Sequence, residues 1–276
     1  MIRKSDWKDG YIEWIDSTTA HISVVFSWHV QKAYQRAVWL NSEGYHVLIG
    51  GPAVHIRPDI FHDMDTIGCP NALQHHNPNA TFTSRGCIRR CKFCIVPILE
   101  GDLKELADWI PKPIVCDNNL LACSMVHFNK VIDKLKPLSK IDFNQGLDAR
   151  LLTHDHAVRL TELDTYCIRL AWDDTNIESQ FRDAVSILNH AGIPCSHIRV
   201  YVLIGHEDNP RDALYRLRTV RKLGMLPNPM RYQPIDTMKK NSHVGSNWTK
   251  KELSRYMRYW SNIYKVSPIP FEEFYQ

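Results

Sequence analysis

No stretch of the sequence approaches the ~20 apolar residues that a membrane-spanning helix needs. The longest apolar runs are short and strand-like, as at Arg199 to Gly205. No hydrophobic segment follows the charged residues of Met1 to Lys8, so the pattern of a secretory leader is missing. Together these absences predict a cytoplasmic protein without a membrane partner. Internal repeats, low-complexity tracts and long linkers are also lacking, which removes repeat architectures from consideration. Neither sign of charge dominates: 34 Lys and Arg stand against 30 Asp and Glu, and the net charge of +4 permits a polyanionic partner without requiring one.

What is present is an ordinary globular composition, 44% apolar and 23% charged over 276 residues. Such a length suits one barrel-sized domain or a domain with a smaller appendage, and the second arrangement is expected. Eight cysteines without a secretion signal point to reduced thiols, and so to metal or redox chemistry in preference to a disulfide framework.

Strand-like and helix-like periods alternate after residue 78. Strands are predicted at Ala80–Ser84, Pro113–Asp117, Ile141–Gln145, Cys167–Trp172, Ile198–Gly205 and Met230–Pro234. Helices are predicted at Asp102–Trp109, Ser124–Leu135, His154–Leu163, Asn176–Ala191, Pro210–Leu223 and Thr249–Tyr264. Six βα units in series imply parallel strands joined by right-handed crossovers. Before them, strand His21–Phe26, helix Val30–Ser42 and strand Tyr45–Ile49 form one βαβ unit that ends in Gly50-Gly51-Pro52. One such unit is too small for a free-standing doubly wound domain and should pack on the main body. The expected division is a βαβ appendage over 1–78, a core over 79–240, and a C-terminal helix and tail over 241–276.

The chemistry is concentrated in Thr83-Ser84-Arg85-Gly86-Cys87-Ile88-Arg89-Arg90-Cys91-Lys92-Phe93-Cys94, a C-x3-C-x2-C pattern just past the first strand of the series. Three thiolates within eight residues can wrap one face of a cubane. Three ligands for four irons leave one iron open to an amino-carboxylate chelate. Arg85, Arg89, Arg90 and Lys92 would offset the negative charge of the cluster. The competing reading is a zinc knuckle with His75 or His76 as fourth ligand.

The spacing, Phe93 before the last cysteine, and the place of the loop after strand one resemble the radical S-adenosylmethionine (radical SAM) superfamily. The Thr-Ser-Arg-Gly-Cys run is similar to its methylthiotransferase and cobalamin-domain branches. The resemblance spans about Ala80 to Pro234. It implies an α/β fold, a partial (βα)6 TIM-like barrel with a small N-terminal βαβ appendage, and a site at the carboxyl ends of the strands. It also implies one [4Fe-4S] cluster on Cys87, Cys91 and Cys94, with S-adenosyl-L-methionine as cofactor. Reductive cleavage would release a 5′-deoxyadenosyl radical that takes hydrogen from substrate, with flavodoxin or ferredoxin as reductant.

Carried along the strands, the resemblance places Phe93 beside the cofactor and Asp117, Asn118 and Asn119 near its amino group. Asn144, Asp148, Arg150 and Asp173 would lie against ribose and carboxylate, for which Arg150 offers bidentate geometry. Gly205 would let the adenine approach the backbone, and Tyr232 would close the pocket.

Cys69, Cys116, Cys123, Cys167 and Cys195 form no further C-x2-C pair and read as small buried hydrophobes. A methylthiotransferase would need more cysteines before the motif than Cys69. A cobalamin enzyme would need a full doubly wound domain and a D-x-H-x2-G loop, so no cobalamin is expected and His21 to Asp59 reads as a shortened remnant of such a domain. His154 and His156 are expected at surface or capping positions. The basic cluster loop, with Arg255 and Arg258 beside Tyr256, Tyr259 and Trp260, raises a nucleotide or nucleic-acid substrate, although these aromatics have the spacing of a helix packed on the barrel. Other classes are a metal-stabilised nucleic-acid-binding module and an electron carrier, the latter weakened by the missing fourth cysteine.

Overall fold

In the computed structural model, which describes residues 7–65, 71–266 and 268–274, the chain forms two units around separate apolar cores. The first takes in residues 1–80 and 233–243, the second 81–232 and 244–276. Cys69 lies outside the described residues.

In the first unit, strand β1 (Tyr11–Asp16) pairs antiparallel with β2 (Thr19–Val24), and β2 pairs parallel with β3 (His46–Gly50) across helix α1 (Val30–Ser42). Val30, Ala33, Ala37 and Leu40, spaced three or four apart, bury one stripe of α1 with Ile22, Val24, Val47 and Ile49. Two short helices follow, α2 (Pro52–Ile56) and α3 (Ala72–His76). The βαβ unit read from the sequence is there, and β1 is an addition to it. Strand β1 mixes apolar and polar residues on both faces, Tyr11, Glu13 and Ile15 against Ile12, Trp14 and Asp16, so its hydrophobicity has no period of two.

The second unit is α/β, built on six parallel strands that lie across the sheet in chain order. Strand β4 (Ala80–Thr81) starts at the division between the units; β5 (Ser84–Arg85) leaves the main sheet and pairs antiparallel with β6 (Lys104–Glu105), after the single-turn helix α4 (Val96–Leu99). The parallel series continues with β7 (Ile114–Val115), α5 (Met125–Leu135), β8 (Ile141–Phe143), α6 (His154–Leu160), β9 (Thr165–Ala171), α7 (Glu178–His190), β10 (Ile198–Ile204), α8 (Pro210–Lys222) and β11 (Leu226–Arg231). Helices α9 (Lys250–Ser261) and α10 (Ile263–Val266) end the unit.

Alternation along β10 shows how the sheet is sided: Ile198, Val200, Val202 and Ile204 are buried in the core, whereas Arg199, Tyr201 and Leu203 take the other face. Phe128, Val131, Ile132 and Leu135 of α5, and Phe181, Ala184, Val185 and Leu188 of α7, belong to the same core. Side chains fix the helix starts. Ser124 accepts from the His127 N–H, Asn209 caps α8 ahead of Pro210, and Thr249 with Glu252 closes a capping box on α9.

Several elements differ from the sequence reading, beginning with Ala80–Ser84, which is divided between β4 and β5, and Thr249–Tyr264, which is divided between α9 and α10. The segment Asp102–Trp109 is not a helix: its centre is β6, and the Leu106 N–H donates to the Thr83 carbonyl. Eight residues followed by Pro111 cannot repay helix nucleation, whereas pairing with the cysteine loop supplies immediate backbone partners. The sixth parallel strand is Leu226–Arg231, not Met230–Pro234. Pro227 and Pro229 disguise it. Both face away from β10 in the backbone register, so their missing N–H groups fall on the open edge while Tyr232 continues the ladder to the Ile204 carbonyl. Among the described residues no helix is long and apolar enough to cross a membrane.

Candidate functional site

The cysteine loop is shaped before any ligand is considered. Gly86 adopts φ +75, and a Cβ there would meet the Asp102 carbonyl. Glu100 clamps the loop's entry, accepting from Arg85 Nη2 at 2.7 Å, the Gly86 N–H at 2.8 Å and Asn118 Nδ2 at 2.7 Å. The Cys87 N–H donates to the Gly101 carbonyl and the Cys94 N–H to the Cys91 carbonyl. Beneath the loop, buried Asp117 accepts from the Thr83 N–H at 2.6 Å, from Ser84 Oγ at 2.9 Å and from Thr83 Oγ1.

Cys87, Cys91 and Cys94 line one cavity of about 750 Å³, within the size range of small-molecule sites. Residues just past four parallel strands share its wall: Asn118 and Asn119 after β7, Gln145 to Asp148 and Arg150 after β8, Asp173 and Asp174 after β9, and His206 to Asp208 after β10. Phe93 lines it too and meets His206 edge-on at 5.7 Å between ring centres.

Four of the sequence-derived candidates stand elsewhere. Asp117 holds the base of the loop and does not reach the cavity wall. At Asn144 the backbone carries the contacts, the N–H donating to the Val115 carbonyl and the carbonyl accepting from Tyr201 Oη. Gly205 is required by its φ of +82 and by α9, because a Cβ would come within 2.8 Å of Leu253 Cδ2. Tyr232 packs edge-on against His206, one layer behind the wall.

Asp148 also takes a different part from the one expected. Its carboxylate accepts from Arg89 Nε at 3.0 Å, from Arg150 Nε at 2.6 Å and from Arg150 Nη2 at 3.0 Å. Burial alone would raise this carboxyl, but the Arg150 and Arg89 contacts outweigh it and hold it below its usual range. The loop cations are already matched, Arg85 by Glu100, Arg89 by Asp148, Arg90 by Asp102 and Lys92 by Glu207.

Sequence reasoning missed the support at the far wall. Arg216, 1% exposed, donates to the Trp172 and Asp173 carbonyls and, from Nη2, to Asp208 at 2.7 Å. Asp208 in turn accepts from the Gly205 N–H and Trp248 Nε1. One signal was available: Arg216 falls in the same stripe of α8 as Ala213, Leu217 and Val220, where a solvated arginine would not be. Beside it, burial pushes the Asp173 carboxyl up to about 6, against the opposing charge of Arg216.

Cys87, Cys91 and Cys94 are the soft donors of this cavity. Burial raises the Cys91 and Cys94 thiols above their ordinary range. The Arg89 N–H lies 3.3 Å from Cys87 Sγ, and Asn119 Nδ2 lies 3.6 Å from the same sulfur. Asn119 Oδ1 is buried with no partner, an acceptor left for a ligand's donor. Among the described residues no three His, Cys, Asp or Glu side chains converge to hold a single metal ion. His75 and His76 have other roles in the first unit, His75 stacked on Trp14 and His76 Nε2 at 3.1 Å from Ser23 Oγ. No protein-family model matches the chain, and no curated protein is significantly similar to it.

Proposed function

We propose that the protein is a radical SAM enzyme whose Cys87, Cys91 and Cys94 hold one [4Fe-4S] cluster at the mouth of a partial (βα)6 barrel. The supporting observation is the shared cavity: the three cysteines of a C-x3-C-x2-C loop face residues from the carboxyl ends of β7, β8, β9 and β10. The unbroken strand order favours a barrel-like sheet over a doubly wound one, which reverses direction at a switch point.

A cluster held by Cys87, Cys91 and Cys94 would supply one-electron reduction of S-adenosylmethionine. The chain's own residues do the rest. Asn119 Oδ1 accepts from an ammonium or hydroxyl of the bound cofactor, and Phe93 with His206 covers one side and excludes water. Asp173 and Asp174 present carboxylates to ribose hydroxyls. Arg216 and Asp208 fix the far wall. The first unit serves this reading without cobalamin, and a low-potential flavodoxin or ferredoxin delivers electrons in a cytoplasmic setting. The nucleotide-substrate proposal is narrowed to the cavity itself, because Tyr256, Tyr259 and Trp260 are buried in the core and cannot stack on a base.

The test is anaerobic reconstitution with iron and sulfide, followed by dithionite, S-adenosylmethionine and chromatography for 5′-deoxyadenosine. About four irons per chain, lost on changing Cys87, Cys91 or Cys94 to Ala and kept on changing Cys123 or Cys195, together with 5′-deoxyadenosine, is the expected result. Stoichiometric zinc without iron, or no 5′-deoxyadenosine from iron-replete protein, would overturn the proposal.

A further inference from the structure

Behind two of the three cysteines lies a polar cluster centred on Asp148, whose side chain is 8% exposed. Oδ2 accepts from Arg89 Nε at 3.0 Å, Arg150 Nη2 at 3.0 Å and Asn119 Nδ2 at 3.3 Å; Oδ1 accepts from Arg150 Nε at 2.6 Å and the Arg150 N–H at 3.1 Å. A carboxylate in this setting only accepts, so it turns the Asn119 amide to present its NH2 group. That same NH2 lies 3.6 Å from Cys87 Sγ. The Arg150 guanidinium, gripped on two sides by Asp148, lines the same cavity as Cys91.

We infer that Asn119, which donates to the Cys87 sulfur, and Arg150, whose charge shares the cavity with Cys91, are positioning residues oriented by Asp148 that raise the reduction potential of the assembled iron–sulfur site. The inference rests on the cluster reading above. Its physical basis is general: reduction adds negative charge that is shared by the ligand sulfurs, so N–H donors stabilise the reduced form more than the oxidised one. One carboxylate holding both side chains also links the loops after β7 and β8 to the cysteine loop through Arg89.

The experiment uses full-length protein reconstituted with iron and sulfide, without S-adenosylmethionine, titrated electrochemically and followed by electron paramagnetic resonance. Asn119→Leu removes the donor without changing charge or much volume. Arg150→Met removes donor and charge, and Arg150→Lys restores the charge without the fork. The expected result is wild-type iron content in all three, a more negative midpoint potential in Asn119→Leu and Arg150→Met, an altered resonance signature, and partial recovery in Arg150→Lys. Unshifted potentials at full iron content would overturn the inference and leave the cluster reading standing. Loss of iron from Asn119→Leu with an unshifted Arg150→Lys protein would also overturn it, because the network would then be a scaffold only. Wild-type protein that takes zinc and no iron would remove both.

Discussion

Gly86 lies so close to Asp102 that a Cβ on it would stand 2.1 Å from the Asp102 carbonyl oxygen, and the backbone there has φ +75. Both facts demand glycine. An Ala at this position meets a left-handed conformation, at a cost of roughly 1–2 kcal/mol, and a backbone atom that cannot move aside like a flexible side chain. Gly86→Ala should therefore lower thermal stability and, because Cys87 follows immediately, reduce metal retained after anaerobic reconstitution and desalting. Metal content equal to that of the wild type would show that the loop's shape does not depend on this contact.

Asp117 carries the loop from below. Its carboxylate satisfies three donors from Thr83 and Ser84 in a buried position. Asp117→Ala leaves those donors without a partner, at about 1–3 kcal/mol for each buried group so abandoned. The expected outcome is a lower denaturant midpoint in urea, with metal content falling alongside stability. A variant that unfolded like the wild type but lost only affinity for S-adenosylmethionine would return Asp117 to the cavity wall, where the sequence reading had placed it.

The contrast explains what the sequence disclosed. The cysteine spacing is local, and the family resemblance carried along the βα alternation pointed to the strand ends, so Phe93, Asn118, Asn119, Asp148, Arg150 and Asp173 were named from the sequence and line the cavity. What counting cannot supply is the partner. Asp117 and Asp148 both follow strands and look alike as ligand contacts, yet one is taken up by Thr83 and Ser84 and the other by Arg89, 59 residues away. The edge strand β11 was misplaced for a related reason. Its prolines argue against a strand until it is known which side of the strand is open.

Arg216 offers a test of the far wall. It is fully buried, bonded to two backbone carbonyls and to Asp208. Arg216→Ala leaves Asp208 buried without its counter-charge, and breaking a buried pair from one side costs about 3–5 kcal/mol. The single variant should be strongly destabilised in urea unfolding. Arg216→Met with Asp208→Asn, which removes both charges, should recover a large part of the loss. If the double variant were no better than Arg216→Ala, the carbonyl contacts and not the ion pair would be the main contribution of Arg216.

Asp173 adds a pH dependence with a defined sign. Burial raises its folded-state pKa to about 6, above the ordinary carboxylate value near 3.8, and the charge of Arg216 only partly offsets this. Between those two values the folded protein holds a proton that the unfolded chain has released, so folding stability falls as pH rises through this window. The contribution is fully present below pH ~4 and lost by about pH 7, with a size on the order of 3 kcal/mol. Asp173→Asn keeps the shape and cannot ionise. Its stability should match or slightly trail the wild type at pH 4 and exceed it at pH 7.5, when the two are compared by chemical denaturation of metal-free protein across that range. A difference that stayed constant with pH would mean that Asp173 titrates as an ordinary solvated carboxylate, and that the wall between β9 and α8 is wetter than its packing suggests.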